Sequence, residues 1–518
     1  MVTALPRIVV AAPASGHGKT TVATGLMAAL RRTGLEVSGH KVGPDYIDPG
    51  YHALATGRAG RNLDPHLVGE ERIVPLLLHG AGAGGGAGGC GIGAGRPADV
   101  AVIEGVMGLY DGHIGGDGFA STAHVAALTG APVVLVVDIS HASRSIAAVV
   151  LGMASYDPAV HIAGVVLNKA GSVRHSDEVR RALAPLGIPV LGVLQRDDDV
   201  TAPSRHLGLV PAAERPEAAR SLDHLAGKVA ASIDLEAVMR IAREAPPLAG
   251  GAWSARVALD GVDVGCGGAG CGGAGRGTTV DDRAHEVDDD EVRPLIAVAG
   301  GRAFTFRYAE TVELLEAAGC SVVPFDPLAD EALPGTAAGI YLGGGFPEVH
   351  AADLAANEPM LRALRAATAA GTPTVAECAG LLYLCRSLDG VPMVGAVDAD
   401  AAMAPRLTLA YRRSTAVADS VLATAGTEVT GHEFHRTAVN PPAGAGSHAG
   451  APSTSGPGAA PAWTSSAGPE GFVHGSVHAS YLHTHWAGHP ALAARFAAQA
   501  RQFARVADRG MGTAAELV

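Results

Sequence analysis

Large aromatic rings are scarce in this 518-residue sequence, at 4%, and charged side chains reach only 17%. A core must therefore be assembled from aliphatic and small side chains, helped by 70 glycines; 48% apolar content excludes a disordered chain. Cysteine is sparse too. Cys90, Cys266, Cys271, Cys320, Cys378 and Cys385 form no C-x-x-C pair and no regular spacing, which argues against a disulfide framework and fits a reducing compartment. No uninterrupted apolar run approaches the roughly 18 residues a membrane span needs. The opening stretch MVTALPRIVVAAPASGHGKTT leads into a glycine loop rather than a cleavage site, so it does not read as a signal peptide, and a cytoplasmic location is expected. Basic residues are outnumbered: 38 against 51 acidic ones leaves a net charge of −13, which argues against a general nucleic-acid binder but not against a small anionic ligand in a local pocket.

The length exceeds what one core usually serves, so two domains or three are expected. Three segments are too poor in large apolar residues to offset chain entropy and read as mobile insertions or linkers: about 80–95, about 246–293 and about 440–469. The second is the natural boundary, giving domains at 1–245 and 294–518. Before it, β-branched runs at Arg7–Ala12, Val37–Lys41, Val100–Glu104, Val133–Ile139, Ile162–Asn168 and Pro189–Leu194 alternate with helical stretches such as Thr20–Arg32. Continuous rather than alternating apolar runs are what parallel strands covered on both faces require, so the fold class is α/β with a doubly wound parallel sheet. The pattern resumes after the linker, with strands at Leu295–Ala299, Ser321–Phe325, Gly339–Leu342 and Thr374–Glu377 and helices at Tyr308–Ala318, Pro359–Ala370 and Ala491–Ala507.

The first strand runs into Pro13-Ala14-Ser15-Gly16-His17-Gly18-Lys19-Thr20-Thr21 and then a helix, the context of a phosphate-binding loop. Backbone N–H groups there and the helix N-terminus can cradle ATP phosphates, with Lys19 on the outer phosphates and the Thr20 hydroxyl on Mg²⁺. Pro13 stands where the usual signature has its first glycine. Asp45 and Asp48 follow the second strand, and Glu104 and Asp111 follow the next, at the sheet edge where ligands bind in open α/β folds. Mg²⁺ needs hard oxygen ligands, and Asp45 and Glu104 are assigned to it beside Thr20. Asn168 closes another strand and is a candidate nucleotide contact. Lys41, Arg58, Arg61 and Arg144 are strand-end cations that could meet an anionic substrate.

In the second half, Thr374–Glu377 runs directly into Cys378 and a helix. A thiol at such an elbow lies at a helix N-terminus, whose dipole favours the nucleophilic thiolate. Gly343-Gly344-Gly345 follows another strand and can aim N–H groups of Gly344 and Gly345, with that of Ala379, at an oxyanion. His483 is the candidate base for Cys378. Cys320 and Cys385 read as buried packing residues. His474, His478, His483, His485 and His489 have no partners at zinc spacing, so no metal is expected there. His432 and His435 read equally well as packing or as ligand-side residues.

A phosphate loop joined to a thiol elbow implies ammonia made in one domain and used in the other. The blocks APASGHGKTT, HKVGPDYIDPGYH, RNLDP, VIEGVMGLYDG, YLGGGFPE, AECAGLLYL, GHEFH and ASYLHTHW resemble the cobyrinate and hydrogenobyrinate a,c-diamide synthase family of vitamin B12 biosynthesis, over most of the chain outside the three Gly-rich segments. The resemblance implies a dethiobiotin synthetase-like P-loop domain and a class I glutamine amidotransferase-like domain. It implies Cys378 as nucleophile, His483 as its activator, and ATP, Mg²⁺, two glutamines and a corrinoid acid as the reacting set. Lys41, Tyr46, Asp48 and Asp111 fall in shared blocks and would bind or orient substrate; a homodimer is among the assemblies left open. Ala379 departs from the glycine expected after the nucleophile, though its N–H donor is kept. The rivals are a cobyric acid synthase, which amidates other side chains, a cell-wall precursor amidotransferase, and a partitioning-type switch ATPase. The last normally has a second loop lysine where this chain has Ala14, and has no thiol domain.

Overall fold

The computed structural model describes residues 2–82, 96–196, 204–205, 208–209, 217–262, 293–444 and 459–515. The remainder of the three low-complexity segments, 83–95, 263–292 and 445–458, lies outside the described residues.

Seven parallel strands build the N-terminal sheet, in the spatial order Arg61–Leu63, Val37–Val42, Val100–Glu104, Arg7–Ala11, Val133–Asp138, Ile162–Ala170 and Val190–Gln195. Chain order reverses around the first strand, and the phosphate loop leaves that strand at the switch point. Its Ile8 and Val10 pack on one helical layer with Val22 and Leu26; Val9 and Ala11 pack on the other side with Val125 and Ile146. Two buried faces explain why its sequence shows no polar alternation. The three-residue strand Arg61–Leu63 was not expected; it is too short, and too polar at Arg61 and Asn62, to stand out.

The C-terminal domain has two sheets. One is six-stranded, in the order Ser321–Phe325, Leu295–Ala299, Gly339–Leu342, Thr374–Glu377, Val477–Ser480 and Phe472–His474, parallel except for its last pair. The other is dominated by a long antiparallel pair, Asp400–Ala416 with Glu428–Asn440, to which His483–Thr484 adds beyond the second strand. This pair escaped the sequence reading because Asp400–Ala416 is exposed along much of its length and carries no apolar run. Pro405 falls where the register shifts between Met403 and Thr408, as an edge-strand proline should.

The expected linker 246–293 is corrected at its start. Leu248–Ala249 pairs with Val2–Thr3, Trp253 is buried, and helix Ala255–Asp260 packs on helices Ala309–Ala317 and Pro490–Ala515 of the other domain. The expected insertion 440–469 is corrected likewise. Trp463–Ser465 and Gly468–Glu470 form a hairpin, with Trp463 buried. In both places one tryptophan anchors a stretch whose Gly, Ser and Pro content suggested mobility.

The halves meet through one continuous apolar cluster that includes Leu63, Leu67 and Leu76 of the first and Ile296, Trp486 and Phe496 of the second. Buried polar contacts reinforce it. Arg61 binds Glu310 at 2.6 Å and Glu313 at 2.6 Å, and the Tyr411 hydroxyl donates to Asp64 Oδ2 at 2.6 Å.

Candidate active sites

The phosphate loop holds its shape through glycine and side-chain ties. Gly16 and Gly18 have φ of 83° and 91°, which favours glycine, and a Cβ on Gly18 would meet Asn168 Nδ2 at 2.2 Å. Asn168 Nδ2 donates to the His17 carbonyl at 2.9 Å, and Lys169 Nζ donates to that of Gly16 at 2.9 Å. Asn168 thus braces the loop rather than pointing away from it. Ser15 is exposed, and His17 and Thr21 are half-buried along the same loop. Lys19 Nζ lies across the loop, donating to the carbonyls of Ala14, at 3.2 Å, and Met107. Burial, then the neighbouring Lys41 ammonium, lower its pKa to about 8. An anionic phosphate would supply the counter-charge this amine lacks.

Beneath the loop, the fully buried Glu104 is a hub. It accepts from Thr20 Oγ1 at 2.5 Å, Lys41 Nζ at 3.0 Å and His52 Nε2 at 2.7 Å. Burial opposes its ionisation, but Lys41 and His52 outweigh that and hold its carboxyl well below the usual range. Lys41 also binds Asp48 Oδ2 at 2.7 Å, and Thr20 Oγ1 reaches the same oxygen at 3.3 Å. Burial, followed by Asp45 and Glu104, pushes the Asp48 carboxyl well up. Two buried carboxyl groups thus share one ammonium around a threonine hydroxyl, an oxygen set that fits Mg²⁺, whose charge would favour ionised Asp48. Among the described residues no group of three or more His, Cys, Asp or Glu side chains could hold a metal alone. A divalent ion here would complete its shell with nucleotide oxygens, as Mg²⁺ commonly does.

Several expectations are corrected here. Asp45 Oδ1 accepts the backbone N–H groups of Ile47, at 2.7 Å, and Asp48, at 3.0 Å, so it caps helix Ile47–Thr56, and Asp48 takes the place beside Thr20 expected of Asp45. Lys41 is buried and committed to Asp48 and Glu104, not open to substrate. Arg58 pairs with Glu36, Arg61 with Glu310 and Glu313, and Arg144 with Glu178, so none of the three is a free strand-end cation. Asp111 stays exposed at the rim, its Oδ2 accepting the Gly108 N–H at 2.9 Å.

At the second site Cys378 sits on the elbow with φ 49° and ψ −98°, a strained conformation for a side chain with a Cβ. Its own N–H binds the Ser480 carbonyl at 2.8 Å, and the Gly380 N–H binds that of Gly343 at 3.1 Å, which locks the elbow against the glycine loop. The expected thiolate is corrected. Burial, then Glu348, drive the thiol pKa well above its ordinary value, and the Ala379 N–H only partly offsets this. The closed site therefore stores a neutral thiol, and a base must take its proton. The oxyanion set is corrected too: Gly344 exchanges both backbone hydrogen bonds with Phe306, at 3.0 and 3.1 Å, so its N–H is occupied. Gly345, whose N–H makes no hydrogen bond among the described residues, and Ala379 remain as donors.

His483 is buried against the glycine loop; a Cβ on Gly344 would lie 2.5 Å from its Cε1, so only glycine admits the ring. Burial, then His435, lower its pKa to about 3, which keeps it neutral. Its Nδ1 has no hydrogen-bond partner, and no hydrogen bond joins it to Cys378 among the described residues. The ring stacks on His432 with centroids 4.9 Å apart and meets Tyr46 of the first domain at 5.2 Å. Tyr46 therefore belongs at the boundary of the two sites, two residues from Asp48. His435 stacks on Tyr481 at 3.8 Å, with Glu433 and Arg412 behind it.

Sequence reasoning missed Glu377. It precedes Cys378 and accepts from the Tyr341 hydroxyl at 2.7 Å and from Thr484 Oγ1 at 3.0 Å. Its adjacency to Cys378 was visible; its burial was not. Burial pushes its carboxyl to about 7 despite these donors. A carboxyl raised in the folded state contributes stability at low pH that is lost as pH climbs from about 4.5 through about 7. Glu377→Gln, which cannot ionise, should therefore gain on the wild type by about 3 kcal/mol between pH 4.5 and pH 8. Denaturant melts at both pH values check this, and an equal offset at both would contradict it.

A P-loop domain joined to a thiol-elbow domain, with Tyr46 of the first against His483 of the second, defines a glutamine amidotransferase fused to a nucleotide-binding domain. The profile of the CobQ/CobB/MinD/ParA nucleotide binding domain matches residues 8–210, and that of the CobB/CobQ-like glutamine amidotransferase domain matches residues 295–491. The chain is 56% identical over 501 residues to the hydrogenobyrinate a,c-diamide synthase of Thermobifida fusca, covering 95% of this chain and 96% of that protein. The protein of the same name from Streptomyces coelicolor is 53% identical, covering 96% and 98%. The cobyrinate a,c-diamide synthase of Dehalococcoides mccartyi strain CBDB1 is 36% identical, covering 97% and 99%. The chain belongs to the a,c-diamide synthase family.

Proposed function

We propose that the chain amidates the a and c acetate side chains of hydrogenobyrinate or cobyrinate, using ATP and two molecules of glutamine. Gly16, Gly18, Lys19 and the start of helix Lys19–Arg32 hold the ATP phosphates. A side-chain carboxylate oxygen of the corrinoid attacks the γ-phosphorus, the bond to ADP breaks, and an acyl phosphate forms. Lys19 offsets charge in that transfer, which is chiefly positioning and electrostatics. Thr20, Glu104 and Asp48 would hold Mg²⁺, which supplies further charge neutralisation on the phosphates.

At the other site the Cys378 sulfur attacks the glutamine side-chain amide while its proton passes to a neutral imidazole, His483 in this reading. Gly345 and Ala379 N–H groups receive the oxyanion. The proton then goes to the departing nitrogen, ammonia leaves, and water releases glutamate from the thioester. Ammonia attacks the acyl carbon, and phosphate departs. The observation that carries this reading is Tyr46, which touches His483 while its own loop supplies Asp48 to the ATP site.

The test is incubation with ATP, Mg²⁺, glutamine and either metal-free or cobalt-loaded substrate, with product mass read out. The diamide should form from at least one of them. ATP-dependent amidation confined to other corrin side chains would point to the cobyric acid synthase reaction instead.

A further inference from the structure

The long hairpin of Asp400–Ala416 and Glu428–Asn440 has one face turned toward the nucleotide domain. Directly opposed residues share a face, as do alternate positions along each strand. Tyr411 opposes His432, Leu409 opposes Phe434, and Arg413 opposes Thr430, so these residues and Arg436 lie on that face. Its middle is covered: Tyr411 bonds Asp64 and stacks near His66, at 4.4 Å, and His113, at 5.9 Å, while His432 meets Tyr46 at 5.7 Å. Past that point the face is open among the described residues. Leu409 is 60% exposed and Phe434 half-buried, and Leu407 beside them is 44% exposed.

The charge beside the open part is positive. Arg436, beyond Phe434 on the same face, donates to the Pro405 carbonyl at 3.3 Å and forms no ion pair with any described acidic residue, in a chain whose net charge is −13. Arg412, by contrast, faces the other way and is bound to Glu433. The platform also connects to the chemistry. His113, against Tyr411, belongs to the loop that begins at Val106 and Met107, and the Met107 carbonyl holds Lys19 Nζ.

We propose that the open part of this face, with Leu409 and Phe434 as its floor and Arg436 at its margin, seats the corrinoid substrate. The inference rests on the function proposed above. A flat macrocycle with apolar faces and a ring of carboxylates needs an apolar surface wider than a single side chain, with cations at its margin. Leu409 and Phe434 supply the first and Arg436 the second. One of the ring's remaining carboxylates would pair with Arg436 while an acetate arm reaches past His113 to the Lys19 loop.

The experiment uses the full chain with hydrogenobyrinic acid as the probe and ammonium as nitrogen donor, so that the glutaminase site is bypassed. Leu409→Asp combined with Arg436→Gln should raise KM for the corrinoid at least 10-fold. KM for ATP and glutaminase turnover should stay within 2-fold of wild type. Leu409→Met should restore the corrinoid KM, which a general folding defect would not allow. Raised salt should weaken corrinoid binding to the wild type more than to the variant, since the variant lacks one arginine. An unchanged corrinoid KM in the folded double variant overturns the platform while leaving the function standing. A wild-type enzyme that amidates neither corrinoid overturns the function itself.

Discussion

Cys378→Ser should abolish glutamine-dependent amidation, a loss of roughly 10³-fold or more, while amidation from added ammonium salts survives at near wild-type rate. The reason is the proposed separation of labour. The sulfur sits on an elbow in the C-terminal sheet, whereas the phosphate loop that would activate the carboxylate leaves the switch point of the N-terminal sheet. Serine keeps the shape of the elbow but is a poor nucleophile without a strongly tuned base, and the closed site offers imidazoles pushed toward the neutral form. The measurement is product formation from each nitrogen source in parallel. Loss of both activities in a folded variant would mean that the sulfur serves the ligase reaction as well, which the two-site account does not permit.

Lys19→Ala should remove amidation from glutamine and ammonium alike, by about 10³-fold, because it strikes the step the two sources share. Its amine is buried and braced on two carbonyls, with burial lowering its pKa to about 8. The folded chain thus keeps a desolvated cation ready for a phosphate, and the bound nucleotide should raise that pKa. Glutaminase turnover without ATP should persist in the variant. Residual synthesis near wild-type rate would show that Lys19 does not touch the phosphates. A pH series on the wild type adds a sign check: nucleotide affinity should weaken as pH rises through about 8, where the free amine gives up its proton, and Lys19→Ala should lose that dependence.

Much of both sites was legible in one dimension because the chemistry is local. Gly16, Gly18, Lys19 and Thr20 form a loop whose function depends on consecutive backbone groups, and the parallel strand before it announces itself by an unbroken apolar run. Cys378 was likewise placed by the strand that precedes it and the helix that follows. Asp45 and Asp48 show where that legibility ends. Three residues apart in one loop, they were assigned the wrong way round, Asp45 to the metal and Asp48 to substrate, because only folding turns the first carboxylate onto its own helix and the second onto Thr20 and Lys41. Arg58, Arg61 and Arg144 looked like free cations because their acidic partners are distant in sequence. Arg61 finds Glu310 across 249 positions.

By itself the sequence determined the α/β class, the two domains, and the strand–loop–helix and strand–elbow–helix that carry Lys19 and Cys378, since each depends on neighbouring residues or on a repeating pattern of burial. The tertiary structure alone decided the thiol's protonation, the loss of Gly344 as a donor, the contact of Tyr46 with His483 and the exposed hairpin face. These depend on burial and on pairings between distant segments, which composition and spacing do not encode.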